Sequence, residues 1–377
     1  MEKEQAKGKK GAAVALLLPL LLGVLLGVAL VYLWSPYFEG SLLWLLLALA
    51  SLFLGVWIQT LVHELGHLFL GLLTGYRFVS FRVGRHMLVR TEGRLAYRRF
   101  SLQGTMGQCL LTPREEREKV AVIPMNLGGC LFNLAFSILL LLLGLLALHG
   151  WISACLLTVA LFGILTAVMN AVPFTATLPN DGRNAWLLHR FPECRSAFFT
   201  QLRINAAETE GVRLRDMPPA WFADEAGETP TDPLTAALPV FLENRYMDEN
   251  RFEEAYALIC RLLSPAVPLA EVHRQLLLLD RAYLSLLGVG EPTAEQTLDR
   301  RALVAFCKSM RTYPPVLRTR YAYALLYRRD ETEAQTLLRT LDGIAARYPY
   351  RGELAREREL IALAAEQAKK TQTARTV

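Results

Sequence analysis

Apolar residues cluster in long uncharged runs before about residue 175, and after that charged and apolar positions alternate at helical spacing. Residues 12–34 form the first run, preceded by Lys9 and Lys10. It is too long for a signal-peptide core, and Tyr32 and Trp34 follow it in the manner of an interfacial aromatic belt, so it predicts a retained membrane helix. Gly23 and Gly27 give it a small-xxx-small pair for packing on a neighbouring helix. A second run extends from Ser41 through Val62 to Gly75, a third from Val120 to Leu148, and a fourth from Trp151 to Pro173. Each is long enough to cross a bilayer core about 30 Å thick.

Basic residues orient the four spans. Lys3, Lys7, Lys9 and Lys10 precede the first, and ten arginines and lysines lie between the second and third. The connections near 35–40 and 149–150 carry none. Excess positive charge stays on the cytoplasmic side, which predicts a multi-pass protein of the cell membrane with both termini and the middle loop in the cytoplasm. The net charge of +6 is thereby assigned to the inner membrane surface, and no nucleic-acid partner is expected.

Polar and apolar residues alternate in the middle loop over 82–90 and 94–100, around Thr91-Glu92-Gly93, which predicts a small β-hairpin or sheet. Gly104 and Gly107 predict irregular backbone after it. Residues 184–208 read as one amphipathic helix, either lying on the anionic inner surface or packed against the protein. Residues 216–234, rich in proline and acids, read as a linker. Beyond them, Glu254-Ala255-x-x-Leu258-Ile259-x-x-Leu262 recurs as Glu333-Ala334-x-x-Leu337-Leu338-x-x-Leu341, a pattern of paired helical repeats of the tetratricopeptide type. The expected fold is mostly α: four membrane helices with a β-hairpin segment, then a cytoplasmic helical domain. Its parts are an N-terminal tail and first span (1–40), a membrane core (41–185) with a β-loop at 76–119, a helix and linker (186–234) and the repeat-like domain (235–377).

The second span holds the chemistry, in His63-Glu64-Leu65-Gly66-His67. Ionisable groups in an apolar helix are costly unless something compensates. Histidines four residues apart project from one helix face and can grip one tetrahedral metal ion, with Glu64 beside it as a base. Zinc hydrolases take a third protein ligand and keep a position open for water. A helix entered at Ser41 reaches His63 after roughly 33 Å, near the inner end of the bilayer core. The fourth span ends on that same side, and Asp181 is the acidic residue closest to its end. The remaining histidines, His86, His149, His189 and His273, suit solvated or core positions. The six scattered cysteines read as reduced thiols.

These residues resemble the site-2 protease family of intramembrane zinc metalloproteases. The resemblance is carried by His63-Glu64-Leu65-Gly66-His67, by Asn170-x-x-Pro173 and by Asp181-Gly182, and more weakly by Gly129-x-x-x-Asn133, where Cys130 replaces a family proline. It spans roughly residues 41–185. It implies zinc held by His63, His67 and Asp181, with Glu64 as catalytic base. It also implies an oxyanion-assisting asparagine, Asn170 first and Asn133 second. The implied partner is a membrane-anchored protein substrate in the lipid bilayer, received as an added β-strand; the C-terminal helices lie outside the resemblance, and their repeat-like pattern separately suggests a surface for a regulatory protein. Two other readings stand beside it. One is an inactive membrane adaptor working through the helical repeats. The other is a protease resembling prenyl-protein peptidases, whose third ligand is a glutamate, here Glu193.

Overall fold

The computed structural model describes residues 2–38, 41–101, 105–114, 121–147, 149–174, 179–222 and 230–376. The fold is 72% helical. Among the described residues, four helical stretches are long and apolar enough to cross a membrane: Leu17–Tyr37, Leu42–Leu73, Val122–Leu146 and Gly150–Ala171. The chain divides into two compact units, Met1–Gly84 with Met106–Arg195, and Arg85–Thr105 with Ser196–Val377.

In the first unit, helices α1 (Glu2–Trp34), α2 (Leu42–Leu73), α3 (Val122–Leu142) and α4 (Gly150–Ala171) are followed by the short α5 (Asp181–Arg190). Small residues let these long apolar helices approach. A β-carbon at Gly66 would run into the backbone of Gly128, and one at Gly55 would stand 3.5 Å from the Val159 Cα. Gln59 fastens three helices at one level, donating to Ser137 Oγ at 3.2 Å on α3 and to the Val159 carbonyl at 3.1 Å on α4. Bonds of this kind fix the order of helices where lipid supplies no hydrophobic drive between them. Trp34 turns inward and donates to Thr158 Oγ1 at 3.0 Å, whereas Tyr32 is exposed, so the expected aromatic belt keeps one of its two members. Gly23 and Gly27 meet no neighbour within 4 Å.

Strand β1 (Tyr76–Val83) pairs antiparallel with β4 (Gly107–Pro113), with an irregularity between Phe78 and Ser80. Gly107 therefore opens a regular strand, against the expectation of irregular backbone, and Gly104 lies outside the described residues. The alternation over 82–90 also splits. β1 ends at Val83, and Gly84, at φ +58°, turns the chain where Trp57 lies too close for a β-carbon.

The second unit contains the hairpin of β2 (His86–Thr91) and β3 (Arg94–Arg99), paired from His86 opposite Arg99 to Thr91 opposite Arg94. Glu92 and Gly93 both take positive φ, 53° and 74°, the signature of a tight primed turn. The hairpin is fixed to the helices: Thr91 donates to the Thr209 carbonyl at 3.2 Å and the Arg99 amide to the Arg347 carbonyl at 3.1 Å. Phe100 sits among Tyr313, Tyr348 and Tyr350, its ring centroid 5.5–6.4 Å from theirs.

The expected single helix over 184–208 is two: α5 ends at Arg190 and α6 (Pro192–Thr209) begins at a proline, since Pro192 cannot donate to the preceding turn. In the expected linker, Met217 and Phe222 are buried and the Met217 carbonyl accepts from Arg245 at 3.0 Å, so its first part is packed. Residues 223–229 lie outside the described chain. Helices α7 (Ala237–Asp248), α8 (Phe252–Leu262), α9 (Glu271–Leu286), α10 (Ala294–Leu298), α11 (Arg301–Ser309), α12 (Pro314–Ala322), α13 (Glu331–Ala345) and α14 (Arg351–Thr376) complete the unit. In the two similar segments Ala255, Leu258, Ile259 and Leu262, and Ala334, Leu337 and Leu341, all face the core. At the core Arg318 is paired with Asp280 and Glu357 and lies over the Tyr283 ring.

Candidate metal centre

His63 and His67 lie one helical turn apart on the buried face of α2, and α5 presents Asp181 from its first turn. The His63 Nε2 is 2.9 Å from Asp181 Oδ2, the His67 Nε2 is 3.4 Å from the same oxygen, and the two Nε2 atoms are 3.1 Å apart. These three side chains form a cluster able to hold a metal ion.

The tautomer of His67 follows from its partner. Nδ1 lies 2.8 Å from the Met125 carbonyl, which can only accept, so Nδ1 carries the proton and Nε2 keeps its lone pair toward the cluster.

Glycines make room for these groups. Gly129 on α3 lies against the His63 ring, where a β-carbon would stand 2.6 Å from both ring nitrogens. Glu64 is buried and packs on Gly107, the first residue of β4, with no space for a β-carbon there. Arg82, wholly buried, donates to the carbonyls of Gly84 at 2.7 Å and Gly107 at 3.2 Å and so fixes that end of the sheet.

Asn180, directly before Asp181, acts as a staple. Its side-chain oxygen caps α5 by accepting from the Arg183 amide at 2.9 Å, and its amide donates to the Met169 and Val172 carbonyls at the end of α4. Gly182 then passes too close to the Ala171 carbonyl for any side chain. This network delivers Asp181 to the histidines. The sequence contained its components without showing their partners.

The other candidates are placed differently. Asn133 is fully buried, one turn beyond Gly129, with neither amide atom hydrogen-bonded. The Asn170 amide donates back to the Thr166 carbonyl at 3.0 Å and makes no hydrogen bond to the His63, His67 or Asp181 side chains. Glu193 is exposed at the start of α6 and is not part of the cluster. Cys130 lies 3.9 Å from Asp181 Oδ2 through its sulfur, and all six cysteines are free thiols.

Comparison with protein-family models, with curated proteins and with solved structures finds no match for this chain.

Proposed function

We propose that the protein is an intramembrane zinc metalloendopeptidase of the site-2 protease type, cleaving membrane-anchored proteins near the cytoplasmic face. One observation carries this reading: His63, His67 and Asp181, brought from two distant helices, turn three electron-pair donors toward one another beside a buried Glu64. Ligands bound to zinc at 2.0–2.1 Å and tetrahedral angles stand roughly 3.3 Å apart. The separations here, 2.9 to 3.4 Å, suit that polyhedron.

When bound, zinc supplies a Lewis acid that makes a coordinated water acidic near neutral pH. The remaining work falls to the chain. Glu64, next to His63 and shielded from bulk water, takes a proton on its carboxylate and hands it to the departing amine. Asn133, with an unengaged amide in the protein interior, is proposed as the hydrogen-bond donor to the carbonyl oxygen under attack. Asn170 is less suited because its amide is already spent on Thr166.

A helical peptide bond must be unwound before it can be cut, because its backbone is already hydrogen-bonded. β4 pairs with β1 along one edge, no strand pairs with its other edge among the described residues, and it begins at the residue touching Glu64. A substrate segment added to that edge would pass the carboxylate in extended form. We place both termini in the cytoplasm from the arginines and lysines of the loops. The C-terminal helices, read as tetratricopeptide-like, would offer a surface for a regulatory protein.

Co-expression with single-span membrane proteins tests the reading. Glu64→Gln should abolish the fragments seen with the wild-type chain by mass spectrometry while zinc stays stoichiometric in the purified protein. Unchanged cleavage in Glu64→Gln, or purified protein without zinc, overturns it. Stoichiometric zinc with no cleavage in either form would favour the adaptor.

A further inference from the structure

A second concave site lies wholly within the helical unit, where the end of the hairpin meets the turns after α11 and α13. It encloses about 260 Å³, somewhat below the range of drug-sized ligand pockets, roughly 300–1,000 Å³. Its floor is apolar and aromatic, from Met310, Tyr313, Tyr348 and Phe100. Its rim carries Arg85, Arg99 and Arg347.

Backbone bonds hold the three arginines together. The Arg99 amide donates to the Arg347 carbonyl and the Phe100 amide to the Arg85 carbonyl, each at 3.1 Å. Among the described residues none of the three guanidinium groups has a carboxylate partner, although the unit pairs many of its other arginines, Arg213, Arg245, Arg318 and Arg358 included. Gathering three like charges without a counter-charge costs stability, and the cost is relieved when an anion binds. The hydroxyls of Ser101 and Thr312 stand on the same lining, beside Ser309, whose hydroxyl donates to the Phe306 carbonyl at 2.8 Å.

We infer that this cleft binds a phosphate-bearing ligand of small size. A single carboxylate is satisfied by one guanidinium fork, whereas a phosphate presents several oxygens and up to two charges, matching three forks and two hydroxyls. The volume admits a phosphate on a small organic body and excludes a folded peptide. The ligand links hairpin residues Arg85 and Arg99 with Arg347 of the turn after α13, so its binding tightens the hairpin on the helices. That phosphate is either a soluble phosphorylated metabolite or the headgroup of an inner-leaflet phospholipid.

The test uses the full chain purified in a neutral detergent. Inorganic phosphate, inorganic pyrophosphate and a short-chain phosphatidic acid are titrated by calorimetry, with hydrogen exchange followed over residues 85–101 and 343–348. Saturable binding with slower exchange in both segments is expected. Arg347→Ala and Arg85→Ala should each weaken it about tenfold or more, the worth of a charge-assisted hydrogen bond. Arg347→Lys should weaken it less than Arg347→Ala. Arg94→Ala, on the same hairpin but outside the cleft, should leave it unchanged. Preference for pyrophosphate identifies a soluble ligand, and preference for phosphatidic acid a lipid. Absence of saturable binding at millimolar concentrations of every probe overturns the inference, as does equal weakening by Arg94→Ala and Arg347→Ala.

Discussion

Gly129 lies flat against the imidazole of His63, leaving space for a hydrogen atom and nothing larger. The closeness gives a clean substitution test. Gly129→Ala should drive the ring off its position, at an overpacking cost of about 1–3 kcal/mol, and should lower bound zinc with every ligand still present. Gly27→Ala, at a position with no neighbour within 4 Å, should leave metal content intact. Metal analysis of the two purified variants decides the matter.

The third ligand can be separated from its rival by the same measurement. Asp181→Ala should reduce zinc affinity on the order of tenfold or more, since even changes behind the ligands have effects of 10–100-fold. Glu193→Ala, on the exposed start of α6, should match the wild-type chain. Retention of zinc in the first and loss in the second would move the centre to the glutamate.

Arg318 is one of several charges buried in the helical unit, and it pairs with Asp280 and Glu357. Arg318→Met should destabilise that unit by about 3–5 kcal/mol, because it removes the ion-pair partner of the buried Asp280 and leaves Glu357 with Arg356 alone. Hydrogen exchange along α9 and α12 in the full chain should report the loss. Exchange unchanged from wild type would mean the pair carries no such weight.

His273 gives the unit a dependence on pH. Burial lowers its imidazole to about 4 from an ordinary 6.5. Below 6.5 the unfolded chain takes up a proton that the folded chain refuses, so the stability contributed by the neutral ring is complete above that value and drains away as pH falls toward 4. The full effect is about 3 kcal/mol at most. His273→Gln should flatten the acid limb of the denaturation profile between pH 6.5 and 4, and a limb identical to wild type would refute the assignment.

Much of this was legible along the chain, and the reasons for what was not are physical. Four helices long and apolar enough to cross a membrane, and the hairpin turn, are local matters of hydrophobic length and of Glu92-Gly93, and the fold contains them. His63 and His67 share a face because helical spacing requires it. The interruptions at Gly84 and Pro192 were visible signals, a glycine inside an alternating run and a proline inside a helical one, and weighing them would have divided the strand and the helix correctly. The glycine cradle was not visible. Nothing local to Gly129, Gly107 or Gly182 states that an imidazole, a carboxylate or a helix end presses on it, since each contact joins residues far apart in the sequence. Asn180 is the same case: before Asp-Gly it reads as turn chemistry, and its task of tying α4 to α5 emerges only once both helices exist.

The touch between Gly66 and Gly128 carries a mechanical consequence. With no side chain between them, the two main chains have no compliant layer, so a slide or roll of one helix is transmitted whole to the other. His67 and the Met125 carbonyl that orients it straddle this rivet and must travel together, so movement of either helix shifts the pair without changing its aim.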